Sequence, residues 1–460
     1  MTEPGALALI PVATILVVAV FTRRTLLAMV AGTLIGTVLL GGRNFFESWV
    51  AYFNASLADD TLQWLVLVVV LFGILIALLE RSGAVGDFAA WAALRVTSRR
   101  KSLVMSFLLT IVLFVDDYLS SLTVGTSMKA VTDRYRVPRT QLGTIIKMAA
   151  APACVLIPFS TWALFFSGLL EESGVTTNGT GFGAYIESIP LIFFGWISVT
   201  MSLLLALGLL PLIGPLKTAN LRAHATGETL PATLTEGERK AEDTCAVTTE
   251  DDRPRPYNFL IPIITMIAVT LTTGVDILTG TTAALVVAIV LYLAQRTISF
   301  TGVAEAAFGG VTSMSFVIVL SVLAFMVQHM NVDLALATYI IDATTPFMNG
   351  AWLPAIVFLV CGVYAYATGS FWDLAAVITP VVIPLALAME VNPILAGAAV
   401  FSGAALGSTT CLYGDGIILA AKSTGVKPLH LMLTILPYAG VAMALSFVLY
   451  VIAGFISVNT

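Results

Sequence analysis

The sequence predicts an all-α polytopic membrane protein of about ten transmembrane helices plus two re-entrant hairpins, arranged as two inverted-topology repeats with broken helices. Three observations carry this. Of 460 residues, 58% are hydrophobic and only 11% charged, with a mean hydropathy of +0.97; soluble domains carry roughly 25% charged residues. Apolar stretches of about 20 residues, the length that crosses a bilayer, recur from end to end. Finally, the two halves follow the same order of segments with reversed charge polarity.

Ten segments read as spans: 6–22, 25–41, 62–80, 141–168, 188–213, 258–275, 278–295, 311–330, 394–412 and 431–456. Glu3 and the lack of an early basic cluster argue against a cleaved signal, so the first stretch is expected to remain as a helix. Lys and Arg mark cytoplasmic loops. Arg23-Arg24 therefore lies inside and the N-terminus outside, 42–61 with Glu47, Asp59 and Asp60 is an outer loop, and Arg81 to Lys101 returns inside.

Segment 103–132 is flanked by Arg99-Arg100-Lys101 and by Lys129, Arg134, Arg136 and Arg139, so both ends read as cytoplasmic. It is expected to enter and return as a hairpin tipped by Asp116-Asp117. Arms of about 13 residues reach about 20 Å, past the midplane. Span 141–168 then goes out and 188–213 comes back. Residues 214–257 form the one long polar stretch and read as a flexible cytoplasmic linker between a first half, 1–213, and a second, 258–460. In the second half, 352–389 has no Lys or Arg at either end and reads as a hairpin entering from outside, tipped at Thr368-Gly369-Ser370. Matching order with opposite orientation is the signature of secondary transporters.

Four segments break apolar helical character at membrane depth: 115–121, 151–162, 367–373 and 407–415. Each joins helix breakers to small hydroxyl residues, and unwound backbone there can coordinate ions. Asp116 and Asp117 carry the strongest signal, since an ionised carboxylate in the membrane is costly and is a functional candidate by default. The pair can exchange bound Na+ for H+, because both compete for the same oxygens; Asp116 and Asp117 are thus the hypothetical Na+ ligands. Ser120, Ser121, Pro152, Ser160, Thr161, Thr368, Gly369, Ser370, Ser408 and Thr409 are expected to complete an ion or substrate site. Asp373 reads as a coordinating carboxylate or a helix cap, and Asp415 as a site residue or a solvated one. Lys147 either snorkels to the cytoplasmic surface or pairs with Asp116 or Asp117. Glycines 403 and 407 suit close helix packing; Trp162 reads as a packing aromatic and His329 as an interfacial residue. Four scattered cysteines form no CxxC, and no phosphate-binding loop occurs, which argues against an ATP-driven pump.

The run Phe114-Val115-Asp116-Asp117-Tyr118-Leu119-Ser120-Ser121-Leu122-Thr123-Val124-Gly125-Thr126, with Ala150-Ala151-Pro152-Ala153-Cys154 and Pro158-Phe159-Ser160-Thr161-Trp162, resembles the NhaC family of Na+/H+ antiporters, part of the ion transporter superfamily. The resemblance implies a secondary transporter of the bacterial inner membrane, multi-pass, working by alternating access, with no cofactor and with Na+ and H+ as its ions. It also implies no nucleic-acid partner, and a homodimer is common in that superfamily. Family members include carriers of organic acids and amino acids. Two departures bear on this. Lys147 stands where the family often has an aspartate, and Gly407-Ser408-Thr409-Thr410-Cys411-Leu412-Tyr413-Gly414-Asp415 lacks the family's central Asp-His. Na+/H+ exchange is the leading expectation, and Na+- or H+-coupled transport of an organic anion or amino acid the alternative.

Overall fold

A computed structural model describes residues 5–22, 24–231, 254–273, 276–344, 349–368, 371–412 and 414–459, with helices and no strand among them. The first half contains α1 (Leu9–Thr22), α2 (Thr25–Gly41), α3 (Phe45–Leu57), α4 (Asp60–Arg81), α5 (Ala84–Ala93), α6 (Arg99–Val112) and α7 (Asp117–Arg134). It continues with α8 (Arg139–Leu156), α9 (Thr161–Glu172), α10 (Gly181–Ser188) and α11 (Phe193–Ala206). α12 (Gly214–Thr226) follows. The second half has α13 (Tyr257–Thr272), α14 (Ile277–Ala294), α15 (Phe300–Asp333), α16 (Leu336–Thr344) and α17 (Leu353–Thr368). α18 (Trp372–Ala388), α19 (Pro393–Thr410), α20 (Asp415–Thr424) and α21 (Pro428–Asn459) complete it.

Seven helical stretches of the described residues are long and apolar enough to cross a membrane, or nine if each of two bent pairs is one span. Segment 103–132 is two helices, α6 and α7, packed on each other and broken at 113–116. Segment 352–389 holds α17, which ends at Thr368, and α18, which starts at Trp372; Gly369 and Ser370 lie outside the described residues. The stretch Gly350–Ala367 is by itself long enough to cross, which the shorter, basic-flanked α6 is not.

Several expectations are corrected. The supposed outer loop 42–61 contains α3, which packs on α2 and α15. Glu47 in its first turn complements the helix dipole, and its tryptophan donates to Thr33 Oγ1 at 3.1 Å (Trp49 Nε1). Span 188–213 is shifted: the bent pair runs from Gly181–Leu191 into Phe193–Ala206 at 54°, and its helix ends at Ala206. Span 141–168 is α8 and α9 bent by 42°. Its break falls at 157–160 and not at Pro152, through which α8 runs on. Proline lacks an N–H, so the carbonyl four residues back loses its donor; here Ser198 Oγ donates to Met148 O at 2.7 Å in its place. α19 similarly runs past Gly407 to end at Thr410, and α20 starts at Asp415. Within 214–257, expected as a linker, α12 docks on α8 through Asn220 Nδ2 donating to Gln141 Oε1 at 2.9 Å; residues 232–253 lie outside the described residues.

The two broken helices form the axis of the molecule. α8 is buried at every residue and α19 from Leu395 to Thr410, as helices in the middle of a bundle are. Small residues let neighbours approach. A methyl on Gly407 would sit 2.0 Å from Ala365 Cβ, and one on Gly403 2.4 Å from Cys361 Cβ, so α17 and α19 are in near backbone contact as the glycines implied. A second such crossing joins α4 to α15: a Cβ on Gly73 would lie 2.7 Å from the Gly310 carbonyl oxygen, and one on Gly310 2.5 Å from that of Gly73. Overpacking costs about 1–3 kcal/mol. Gly73→Ala and Gly310→Ala are therefore predicted to lower the melting temperature of the detergent-solubilised protein. Gly86→Ala, whose new methyl meets nothing within 4 Å, should leave it unchanged or raise it. Equal melting of all three would show that the crossing is not tight.

Candidate functional site

The broken backbone at the tip of the α6–α7 hairpin is stitched to the break between α8 and α9. Thr161 N–H donates to Val115 O at 3.1 Å and Cys154 Sγ to Phe114 O at 3.0 Å. Carbonyls that no helix can satisfy thus find donors inside the protein, as the low-dielectric interior requires.

Asp116 caps α7. Its Oδ1 accepts from the N–H groups of Tyr118 and Leu119 at 2.9 and 3.0 Å, and its Oδ2 from Thr161 Oγ1 at 3.3 Å. An aspartate before a helix is a good cap because it accepts from free N–H groups and faces the positive end of the dipole. Asp117 is 1% exposed. Its Oδ1 accepts from Trp162 Nε1 at 3.1 Å, and its Oδ2 lies 3.7 Å from Lys147 Nζ. Lys147 is fully buried and donates to Ser408 Oγ at 3.4 Å. It does not snorkel; it pairs with Asp117. Gly416, near the start of α20, closes the far side: a Cβ there would fall 2.2 Å from Lys147 Nζ and 3.4 Å from Asp117 Oδ2. The centre thus draws on α7, α8, α9, α19 and α20.

The other expected residues divide. Thr161 and Ser408 are in the centre. Ser120 Oγ donates across the hairpin to Thr110 O at 3.2 Å, and Ser121 Oγ is buried without a hydrogen-bond partner among the described residues. Ser160 caps α9 by accepting from Ala163 N–H at 3.1 Å and donates to Cys154 O, so its part is structural. Thr409 Oγ1 is turned back to Ala405 O at 2.8 Å, away from the centre, and Pro152 shapes the hydrogen bonding of α8 as described above. Gly369 and Ser370, and the side chains of Thr368, Asp373 and Asp415, lie outside the described residues. Sequence reasoning missed Trp162 and Gly416. Trp162 was read as packing, and it does stack on Phe371 with ring centroids 4.3 Å apart and 12° between planes. Its indole N–H also needs a buried acceptor, and an acidic pair in the same motif was the available signal. Gly416 gave no signal.

A cavity of about 1140 Å³ ends on this centre. Asp116, Thr161, Phe371 and Trp372 line its deep part, and Arg24, Arg81 and Glu305 its exposed rim, where Arg81 and Glu305 form an ion pair. Asp117 and Lys147 do not line it; they lie behind Asp116. As a Na+ site the described atoms fit poorly. Both Asp116 oxygens already accept hydrogen bonds from protein donors, and an ammonium stands 3.7 Å from Asp117 Oδ2. A second cation there would meet that positive charge.

A polytopic helical chain whose central helices break beside buried carboxylates and an ammonium, at the end of a solvent-reaching cavity, is a secondary transporter. A model of the Na+/H+ antiporter family matches residues 256–455, so a likeness to that family, carried in the first half by the motif around Asp116-Asp117, is found in the second half as well. An uncharacterized protein of Haemophilus influenzae is 26% identical over 495 residues, covering 97% of this chain and 90% of that one. Two solved structures share the fold. MtrF of Neisseria gonorrhoeae, whose structure is described as illuminating a class of antimetabolite efflux pumps, is 14% identical with a TM-score of 0.62, covering 89% of this chain and 83% of that one. The YdaH transporter of Alcanivorax borkumensis, described as having an unusual topology, is 16% identical with a TM-score of 0.53, over 89% and 88%.

Removing one member of a buried ion pair costs about 3–5 kcal/mol, whereas replacing both can be nearly neutral. Lys147→Met is predicted to lower the melting temperature markedly, and the double variant Lys147→Met/Asp117→Asn to recover most of the loss. If the double variant melts below both single variants, the two side chains do not act as a pair.

Proposed function

We propose that the chain is a proton-coupled secondary transporter of a small organic solute with an amino-acid-like mix of charges, acting in the bacterial inner membrane. The cavity ending on Asp116 carries this reading. Its volume suits an organic molecule, ligand pockets being about 300–1,000 Å³, and far exceeds what a dehydrated Na+ needs. Its walls combine both charge signs with the aromatic rings of Tyr118, Phe371 and Trp372, which suits a zwitterion with an apolar side.

In this mechanism Asp116 is the group that gains and releases the proton, at the Oδ2 that receives only the Thr161 hydroxyl. The proton and the solute's cationic group compete for the same carboxylate, and that competition couples the two fluxes. The Asp117–Lys147 pair lies behind it, each charge compensating the other, and takes no part in the exchange. Alternating access follows if the helix starts at α7 and α9, both stitched to the same tip, move as a unit against α4 and α15. The fold shared with MtrF points the same way by analogy alone. The match of residues 256–455 to the Na+/H+ antiporter family favours a second reading, Na+/H+ exchange at Asp116 and Asp117.

Proteoliposomes loaded with a pH-sensitive dye separate the two. A panel of the twenty L-amino acids and short monocarboxylates, offered without a Na+ gradient, is expected to include at least one solute that drives proton movement. Asp116→Asn should reduce that movement more than tenfold, and Thr161→Val should reduce it less. Proton flux driven by a Na+ gradient alone, at equal rate with no organic solute, would overturn the organic-solute reading in favour of exchange. Silence under both conditions would remove both.

A further inference from the structure

We infer that Asp59, Glu172 and His329 form a binding site for a divalent transition metal of the Zn2+ class, at the end of the bundle opposite the Arg24–Arg81 rim. The three come from separate elements. Asp59 is the cap of α4, Glu172 the last residue of α9, and His329 lies near the end of α15. One ligand atom from each lies within 4.8 Å of the others, and His329 Nε2 is 3.8 Å from Glu172 Oε1. Metal–ligand bonds of about 2.0–2.2 Å at tetrahedral angles place ligands roughly 3.3 Å apart, so small side-chain rotations close the set around one ion. One imidazole and two carboxylates with room for water is a donor set for zinc and its neighbours, whereas Mg2+ and Ca2+ take oxygen ligands.

The ring's other nitrogen is placed independently: Ser56 Oγ, which donates to Tyr52 O at 2.9 Å, lies 3.5 Å from His329 Nδ1, so Nε2 is the nitrogen turned towards Glu172. Orientation of a ligand histidine by a hydrogen bond at its other nitrogen is the usual outer-shell arrangement of metal sites. Neither carboxylate has a Lys or Arg within 4.0 Å among the described residues, and Glu172 and His329 side chains are 11% and 29% exposed. Asp59 spends Oδ1 on the N–H groups of Thr61 and Leu62, at 2.9 and 3.0 Å, leaving Oδ2 for the ion.

Occupancy would tie the end of α9 to α4 and α15. Since α9 begins at the Asp116 centre, the metal would hold that end of the broken helix in place. The site rests on its own geometry and not on the identity of the transported solute.

The test is titration of tag-free, full-length protein in detergent with ZnCl2 by calorimetry, with MgCl2 as comparison and Co2+ absorption as a second readout. One Zn2+ per chain is expected, with His329→Gln and Glu172→Gln weakening it at least tenfold and Asp59→Asn weakening it while keeping the α4 cap. Co2+ should give visible bands in the wild type that His329→Gln abolishes. Failure of the wild type to bind Zn2+ would overturn the site, leaving a protonated His329 paired with Glu172 and no metal. Binding that survives His329→Gln and Glu172→Gln unchanged would overturn it equally, and unaltered melting of the variants without metal guards against misfolding.

Discussion

The buried contact between Lys147 and Asp117 is the constraint around which the rest is arranged. Two full charges inside a membrane protein persist only where they meet each other and further polar groups. Lys147 can reach Asp117 only because the α6–α7 hairpin ends at that depth, and Trp162 can donate to the same carboxylate only because α9 starts there. Ser408, on α19, brings the second half to the ammonium. The glycine at 416 lets the start of α20 close over the pair. The breaks at 113–116 and 157–160 thus coincide with polar groups that meet the pair.

The breaks are stabilised by the protein itself. Val115 and Phe114 carbonyls receive Thr161 N–H and Cys154 Sγ. Two of the prolines inside helices are served in the same manner: Pro152 by Ser198, and Pro262 by Tyr292, whose hydroxyl donates to Asn258 O at 2.8 Å. A helix that has lost one internal hydrogen bond stays intact when a neighbour replaces the donor. That is why proline content is a poor guide to where a membrane helix ends.

The cavity and the pair divide the chemistry between them. Asp116 meets the cavity and Asp117 does not, although they are adjacent in sequence, because successive residues at a helix start point in different directions. One carboxylate can thus exchange its partner with solvent while the other stays bound to an ammonium. In the same way α9 joins two distant features, with Thr161 and Trp162 at the centre and Glu172 beside Asp59 and His329.

The sequence alone determined the membrane setting, the helical class, the position of most apolar helices, the division of segment 103–132 into two arms and the carboxylates at their junction. All of these follow from hydropathy, from basic residues at loop ends and from the cost of burying charge, which are local properties of the chain. Tertiary structure decided the rest. The choice of Lys147 between the surface and Asp117, the second role of Trp162, the structural use of Ser160 and Thr409, and the continuity of α8 through Pro152 depend on a partner far away in sequence. Sequence spacing cannot report such partners. The hydrogen bond or charge that decides each case comes from a helix whose distance and rotation are set only when the bundle packs.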